Sequence, residues 1–249
     1  MPELRAIPVE GIGEVQPGDD LPTLILTALR SRKKAISRGD ILVVTHKVVS
    51  KSEGQLIPLA SVKPTRKAIS WAQKYKLDPR LTQLAWNQGQ VVRQNHGVTI
   101  METGHGFVCA NSGVDASNVD GGRSVVLLPS DPDRSAQQIS QALKKRLGFT
   151  VPVIITDSFG RAWREGLTEA AIGVAGMRPF RDSRGERDPY GYKLKVTLEA
   201  IADELAGMAG LACGKLTRIP ACIIRGYPFQ PGRGCARDLI RARERDLFR

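Results

Sequence analysis

The sequence predicts a mixed α/β fold, and three observations support this class. Short apolar runs rich in β-branched residues, at 40–45 and 151–156, are typical of buried strands. Longer stretches with helical apolar spacing, at about 21–36 and 196–213, predict helices. No repeat of roughly 20–50 residues and no Pro/Ser-rich linker divides the chain. We therefore expect residues 1–249 to form one α/β (α+β mixed) domain, or two intimately packed subdomains.

Helix ends are marked by capping residues. Asp-Pro pairs at 78–79 and 131–132 predict helix starts, because the aspartate can cap the helix and proline lacks only an N–H that would be unpaired. Gly148 predicts the end of the second of these helices, and Gly214 predicts the end of a later one.

The remaining strands are predicted from apolar runs next to turn residues. The runs at 97–103 and 106–110 are separated by a Gly-His-Gly turn, which is typical of a β-hairpin. The run at 220–226 predicts a late strand.

Charge indicates an anionic partner. The chain of 249 residues has a formal net charge of +12, which suits a nucleotide, a phosphorylated metabolite or a nucleic acid. Aromatic residues make up only 5% and are not interleaved with the basic ones, so a nucleic-acid-binding protein is the less favoured alternative. The N-terminal residues 1–5 lack a basic and apolar leader pattern, and no apolar run is long enough to span a membrane. We expect a soluble, cytoplasmic protein with no membrane partner.

Several familiar sites are not predicted. The four cysteines lack CxxC spacing and the three histidines are dispersed, so neither a zinc site nor a histidine-based triad is expected. The glycine-rich stretch at 207–215 differs from a P-loop, which needs glycine where Ala209 stands and a hydroxyl where Leu216 stands.

Two acidic motifs follow predicted strands and suggest a metal site. Asp115 comes after the predicted hairpin, and Asp157 and Ser158 come after the strand at 151–156, where we expect the chain to turn. Carboxylate and hydroxyl oxygens are ligands that Mg²⁺ or Mn²⁺ prefers. The alternative is that each aspartate only caps a turn.

Basic and glycine-rich segments could bind the anion. Arg161 and Arg164 could clamp phosphate or carboxylate oxygens from one side of a helical turn, or form an exposed pair bridging to Glu165 or Glu169. The segment at 45–54 brings Thr45, His46 and two lysines out of a strand, to meet a triphosphate or to form a polar turn. Residues 11–14 form either a plain turn or a backbone approach to phosphates.

Together these motifs resemble a known family. The stretches 113–118, 156–161 and 202–205 are similar to those of the coenzyme F420-0:gamma-glutamyl ligase family, where F420 denotes a deazaflavin cofactor. The similarity extends from 9–11 through 47–54 to 220–226 and so covers nearly the whole chain in order.

The resemblance implies both a reaction and an architecture. The reaction is the GTP-dependent addition of L-glutamate to the carboxylate of the precursor F420-0, through an acyl phosphate, with release of GDP. The implied cation is Mg²⁺ or Mn²⁺, with K⁺ as a further candidate. The implied architecture is an unusual ligase fold of mixed sheets and helices without a P-loop, in an intertwined homodimer.

The resemblance also implies roles for individual residues. The implied metal ligands are Asp115, Asp157 and Ser158. Beside these, the chemistry of the residues themselves suggests that Arg161 or Arg164 could hold the acidic substrates, which would complete a catalytic group with Asp157. The implied nucleotide contacts are Gly11, Ile12, Gly13, Glu14, Thr45, His46, Ser50 or Lys51, and Asn118. The segment from Cys213 through about Pro220, which includes Gly214 and Lys215, is implied as the last nucleotide-contacting loop.

One position departs from the family pattern. An archaeal-type sequence has Gly-Glu, with the glutamate on a second metal, where this chain has Gly214-Lys215. An ammonium cannot ligate a cation, so we expect Lys215 to supply positive charge near the phosphates instead. The sequence leaves open a different acid or amino acid, the number of glutamates added, and another nucleotide.

Overall fold

The structure is a computed structural model that describes residues 3–248, so Met1, Pro2 and Arg249 lie outside the described part. The strands are β1 Arg5–Pro8, β2 Ile41–Thr45, β3 Leu56–Pro58, β4 Gly89–Asn95, β5 Val98–Thr103, β6 Val108–Ala110, β7 Ser124–Val126, β8 Val153–Arg161, β9 Arg164–Ala175, β10 Arg181–Asp182, β11 Leu198–Glu199 and β12 Ala221–Arg225. The helices are α1 Leu21–Ser31, α2 His46–Ser52, α3 Arg66–Tyr75, α4 Pro79–Asn87, α5 Pro132–Leu147 and α6 Ile201–Cys213.

A five-stranded mixed sheet forms the centre of the fold, in the order β1-β12-β2-β8-β9. Only the contact between β2 and β8 is parallel, and the other three are antiparallel. The first four residues of β2 and of β8 are buried, so these strands form the middle of the core. Helices α5 and α6 pack on the sheet, and α1 contacts α5. The mixed α/β class is confirmed.

A smaller layer lies beside the central sheet. It contains the three-stranded sheet β4-β5-β6, the β3-β7 pair and helices α3 and α4. Its own buried apolar cluster is formed by Leu59, Leu84 and Val125. Among the described residues, no helix is both long and apolar enough to cross a bilayer.

The predicted caps are confirmed. The side chains of Asp78 and Asp131 accept hydrogen bonds from amides in the first turns of α4 and α5, each followed by proline. Gly148 ends α5 with φ of 78°, a left-handed conformation that glycine adopts without strain. The hairpin of β5 and β6 and the late strand β12 also form as predicted.

Other predicted boundaries are wrong, each for a local reason. Helix α1 ends at Ser31 rather than near 36, because Lys33 adopts a left-handed conformation with φ of 54°. Helix α6 begins at Ile201 rather than 196, because β11 pairs with β10 just before it. Of the two interpretations of the segment after Thr45, the exposed polar turn is not observed, because residues 46–52 form the helix α2.

The expected turn after 156 is also wrong, because β8 continues to Arg161 and pairs with β9. The register shifts where Ile155 pairs with Gly173 but Thr156 pairs with Ala171, so β9 contains one extra residue, Ile172. At this bulge the Asp203 carboxylate accepts a hydrogen bond from the Ala171 amide at 2.8 Å. Burial raises the pKa of Asp203, and this hydrogen bond opposes the rise.

Candidate active site

A cavity of about 720 Å³ opens where β2 and β8 end, a volume that suits a small-molecule ligand. The parallel register pairs Thr45 with Thr156, so the residues that follow both strands reach the same edge of the sheet. The end of α6 and the loop that follows it form another wall. Segments distant in the sequence therefore meet around one cavity.

Most of the predicted contacts line this cavity. They are Ile12, Gly13, Glu14, Thr45, His46, Lys51, Asn118, Asp157, Ser158, Cys213, Gly214 and Lys215. Gly11, Ser50, Asp115, Arg161 and Arg164 are not among the lining residues. Ser50 is buried beneath the cavity wall, where its Oγ lies 3.4 Å from His46 Nδ1.

The arginine pair does not have the predicted geometry. Arg161 and Arg164 face each other across the tip of the β8-β9 hairpin, not along a helical turn, because the strands continue to this point. Both side chains are exposed, and Arg161 donates to the Glu165 carbonyl at 2.7 Å. In this arrangement neither guanidinium reaches the cavity.

Asp115 is held just outside the cavity by Lys47. The Lys47 ammonium lies 2.8 Å from Asp115 Oδ2, and it also donates to Ser117 Oγ at 2.7 Å. Burial raises the pKa of Asp115, but hydrogen bonds from Lys47 and from the amide and hydroxyl of Ser117 outweigh it and lower the pKa overall. Asp115 is therefore ionised at neutral pH and fixes the position of Lys47.

His46 and Asp157 meet at the centre of the cavity. The His46 Nε2 atom is 3.3 Å from Asp157 Oδ1, and the two side chains are only 2% and 12% exposed. The pair is close enough for an ion pair, yet its angles do not make a hydrogen bond, so His46 Nε2 is a buried polar atom without a hydrogen-bond partner in the described residues. Such an atom is costly to bury unless a ligand or water completes it.

Three lysines at the cavity each have their own carboxylate. Lys47 pairs with Asp115, Lys51 pairs with Glu14 at 2.5 Å, and Lys215 pairs with Glu169 at 2.5 Å. Lys51 also donates to the Asn118 carbonyl at 3.3 Å, so it joins three of the predicted segments. These pairs place three ammonium groups around the cavity, and each is balanced by a carboxylate.

Arg218 lies in the loop that the resemblance assigns to the nucleotide, although no motif points to this residue in particular. It lines the cavity, and it forms no ion pair with any of residues 3–248. Its φ of 58° is unusual for a residue with a side chain and indicates a constrained loop. The sequence contains no signal for this backbone conformation, because the fold imposes it.

Glu169 does not bridge to Arg161 or Arg164, as the alternative interpretation of that arginine pair expects. It lines the cavity and pairs with Lys215. In the β8-β9 register it lies opposite Ser158, whose Oγ donates to Glu169 Oε1 at 2.6 Å. The sequence of β9 alone does not predict that Glu169 faces the cavity, because this depends on the register between β8 and β9.

One wall of the cavity, formed by Asp157, Ser158 and Glu169, carries oxygen donors that suit a divalent cation of the magnesium type. Asp157, Ser158 and Glu169 offer two carboxylates and a hydroxyl. The described residues contain no group of three or more His, Cys, Asp or Glu placed to bind one ion. Magnesium commonly takes only one or two carboxylates and completes its shell with substrate phosphates and water, so this donor set is sufficient.

Cys213 and Cys222 form the apolar side of the cavity. Both thiols are buried, as is usual for free cysteines in apolar surroundings. The hydrogen bond with Cys213, together with burial, raises the pKa of Cys222, which therefore stays a neutral thiol.

The fold and this site define a mixed α/β protein with a deep cavity ringed by basic side chains. Residues 11–226 match the model of the F420-0:Gamma-glutamyl ligase family, and the chain belongs to that family.

Three similar proteins cover 86% or more of the chain. The coenzyme F420:L-glutamate ligase of Methanothermobacter thermautotrophicus is 44% identical over 250 residues, which cover 99% of both chains. The protein of that name from Methanopyrus kandleri is 41% identical over 255 residues, covering 100% of this chain and 99% of the relative. That from Methanocaldococcus jannaschii is 44% identical over 216 residues, covering 86% of both.

Replacing Lys47 should change how stability responds to acid. In the parent protein the folded-state pKa of Asp115 is lowered, so its ion pair contributes stability above the unfolded pKa of about 4 and loses it as pH falls through the folded pKa. In Lys47→Met the pKa of Asp115 should rise, and this acid-side loss should shrink. Carbon-detected NMR titration of the carboxyl groups and urea unfolding between pH 6 and pH 3 measure both effects.

The matched control is Lys144→Met, an exposed lysine in the last turn of α5. It should leave the Asp115 titration unchanged. An identical Asp115 titration in Lys47→Met and the parent would contradict the assigned ion pair.

Proposed function

We propose that this protein is a ligase that joins L-glutamate to the carboxylate of F420-0 with consumption of GTP. The observation that carries the proposal is the 44% identity over nearly the full length to a relative named coenzyme F420:L-glutamate ligase. The cavity supports it, because the motifs shared with the family collect there and bring basic groups suited to phosphates.

The proposed chemistry proceeds in two balanced steps. A carboxylate oxygen of F420-0 attacks the γ-phosphorus of GTP, the bond to the β-phosphate oxygen breaks, and GDP leaves. The glutamate amine then attacks the carbonyl of the acyl phosphate, phosphate leaves with the electron pair, and the amine loses a proton. Activation is needed because a carboxylate does not condense with an amine in water.

The basic residues of the cavity would hold the nucleotide phosphates. Lys47 and Lys51 are fixed by Asp115 and Glu14, so their ammonium groups are positioned before the ligand arrives. Arg218 has no competing carboxylate and can give both of its terminal nitrogens to phosphate oxygens. Positioning and charge neutralisation supply most of the rate in phosphoryl transfer.

The cavity wall formed by Asp157, Ser158 and Glu169 would hold the divalent cation. Asp157, Ser158 and Glu169 are its protein ligands in this proposal, and Mg²⁺ or Mn²⁺ bound there would neutralise charge between the β- and γ-phosphates. Asp115, carried over as a further ligand, pairs instead with Lys47 and acts here by orienting that lysine. His46 Nε2 faces Asp157 Oδ1 and restricts the orientation of that carboxylate.

Mass spectrometry of the product tests this function. The protein is incubated with GTP, Mn²⁺, L-glutamate and F420-0, against mixtures that lack one component each. We expect a product heavier by one or more glutamyl units, together with GDP. Asp157→Asn keeps the size of the side chain and removes its charge, so it should lose turnover while remaining folded.

Other outcomes are also informative. GDP formation without a glutamylated product would retain the activation chemistry and indicate a different acid or amino acid. Wild-type turnover in Asp157→Asn, with normal metal dependence, would contradict the role given to that carboxylate.

Arg218 and Arg164 make a matched pair for locating the phosphate contact. Arg218→Met should weaken GTP binding by about tenfold or more, because a charge-assisted contact inside the cavity is lost. Arg164→Met removes the same charge from the exposed hairpin tip and should leave binding near the parental value. Isothermal titration with GTP measures both affinities. Equal losses in the two variants would indicate a general charge effect and exclude the specific role of Arg218.

We also propose the homodimer that the resemblance implies. Leu211 and Leu216, at the end of α6 and in the next loop, are 90% and 91% exposed, and Tyr190 is 96% exposed. Leu211 and Leu216 are close in the chain, and a cluster of large exposed apolar side chains is typical of an interface. Light scattering should give twice the 27.1 kDa mass of one chain, and Leu211→Asp with Leu216→Asp should reduce it. A monomer for the parent protein would contradict the proposal.

A further inference from the structure

Glu169 lies outside the sequence motifs that suggested the site, but its carboxylate lies at the same cavity wall as Asp157. Its side chain is only 11% exposed, whereas the preceding residues of β9, from Arg164 to Thr168, are exposed. Ser158 donates to Glu169 Oε1 at 2.6 Å, which orients the carboxylate from the opposite strand.

Helix α6 holds the stem of Glu169 in place. A Cβ atom at Gly210 would lie 2.5 Å from Glu169 Cγ, so only glycine lets the helix approach this closely. The absence of a side chain at Gly210 therefore creates the notch in which Glu169 sits. The Glu169 stem therefore packs closely against the backbone of α6 at Gly210.

Lys215, unlike Glu169, is largely exposed to solvent. Its ammonium lies 2.5 Å from Glu169 Oε1 and also donates to Ser158 Oγ, but its side chain is 63% exposed. It belongs to the loop after α6, so it can turn away into the solvent without disturbing the core. The largely buried Glu169 carboxylate is thus neutralised by the ammonium of an exposed lysine. Such an ammonium can be replaced at the carboxylate by a metal cation.

A second observation indicates that this wall binds a ligand. His46 Nε2 is buried without a hydrogen-bond partner among the described residues, and it faces the Asp157 carboxylate at 3.3 Å. Buried polar atoms are rarely left in this state, and a ligand at Asp157 or a water bound to it would complete the imidazole.

We propose that Glu169, with Ser158 and Asp157, forms the divalent-cation site, and that Lys215 occupies it when the cation is absent. The cation then competes with the Lys215 ammonium for Glu169, and on its binding Lys215 is released towards the solvent. This inference deepens the proposed function and rests on it for the identity of the cation. Two carboxylates and a hydroxyl match the oxygen ligands that Mg²⁺ and Mn²⁺ prefer.

Binding of Mn²⁺ without nucleotide or acid substrates tests the exchange directly. Free Mn²⁺ is measured by electron paramagnetic resonance in titrations of the full chain. Lys215→Met should bind Mn²⁺ about tenfold more tightly than the parent, because the competing cation is gone. Glu169→Gln should bind about tenfold more weakly, because a ligand charge is lost while the hydrogen bond to Ser158 can remain.

Glu165→Gln is the matched control, since Glu165 is an exposed carboxylate on the same strand and outside the cavity. Its Mn²⁺ affinity should equal that of the parent. The proposal is overturned if Lys215→Met leaves the affinity unchanged, or if Glu169→Gln weakens it no more than Glu165→Gln does. Lys215 is exposed, so its variant is expected to fold, and thermal unfolding checks all three. Because no GTP or acid is present, the result is independent of whether the ligase reaction occurs.

Discussion

The parallel pairing of β2 with β8 is the constraint on which the rest of the site depends. It places Thr45 beside Thr156, although more than a hundred residues separate them in the chain. Parallel strands end at the same edge of a sheet, so the residues that follow β2 and β8 face one cavity. His46 and Asp157 meet for this reason, and the antiparallel strand β9 then adds Glu169 to the same wall.

Charge balance within the cavity follows from this geometry. Lys47, Lys51 and Lys215 each lie beside a carboxylate. These ion pairs reduce the repulsion between the three ammonium groups around the cavity. The pairs differ in burial, because Lys51 is 8% exposed whereas Lys215 is 63% exposed. Lys51 therefore acts as a fixed part of the wall, and Lys215 as a part that can be exchanged.

The bulge at the β8-β9 pair links the fold to the chemistry. One extra residue in β9 changes which side chains face the core on either side of Ile172, and Asp203 stabilises the bulge by accepting from the Ala171 amide. Beyond the bulge, Ser158 lies opposite Glu169, and Gly210 leaves room for the Glu169 stem. Asp203, which belongs to the family motif at 202–205, therefore supports the site without lining the cavity.

The sequence by itself determined the mixed α/β class, the strand β2, the caps at Asp78 and Asp131, and many of the residues that line the cavity, because these depend on local patterns or on motifs shared with a family. Only the tertiary structure decided the extension of β8, the outward position of Arg164, and the roles open to Arg218 and Glu169. Those outcomes depend on strand register and on close approach between distant segments. No local pattern encodes such contacts, because they involve partners far apart in the chain.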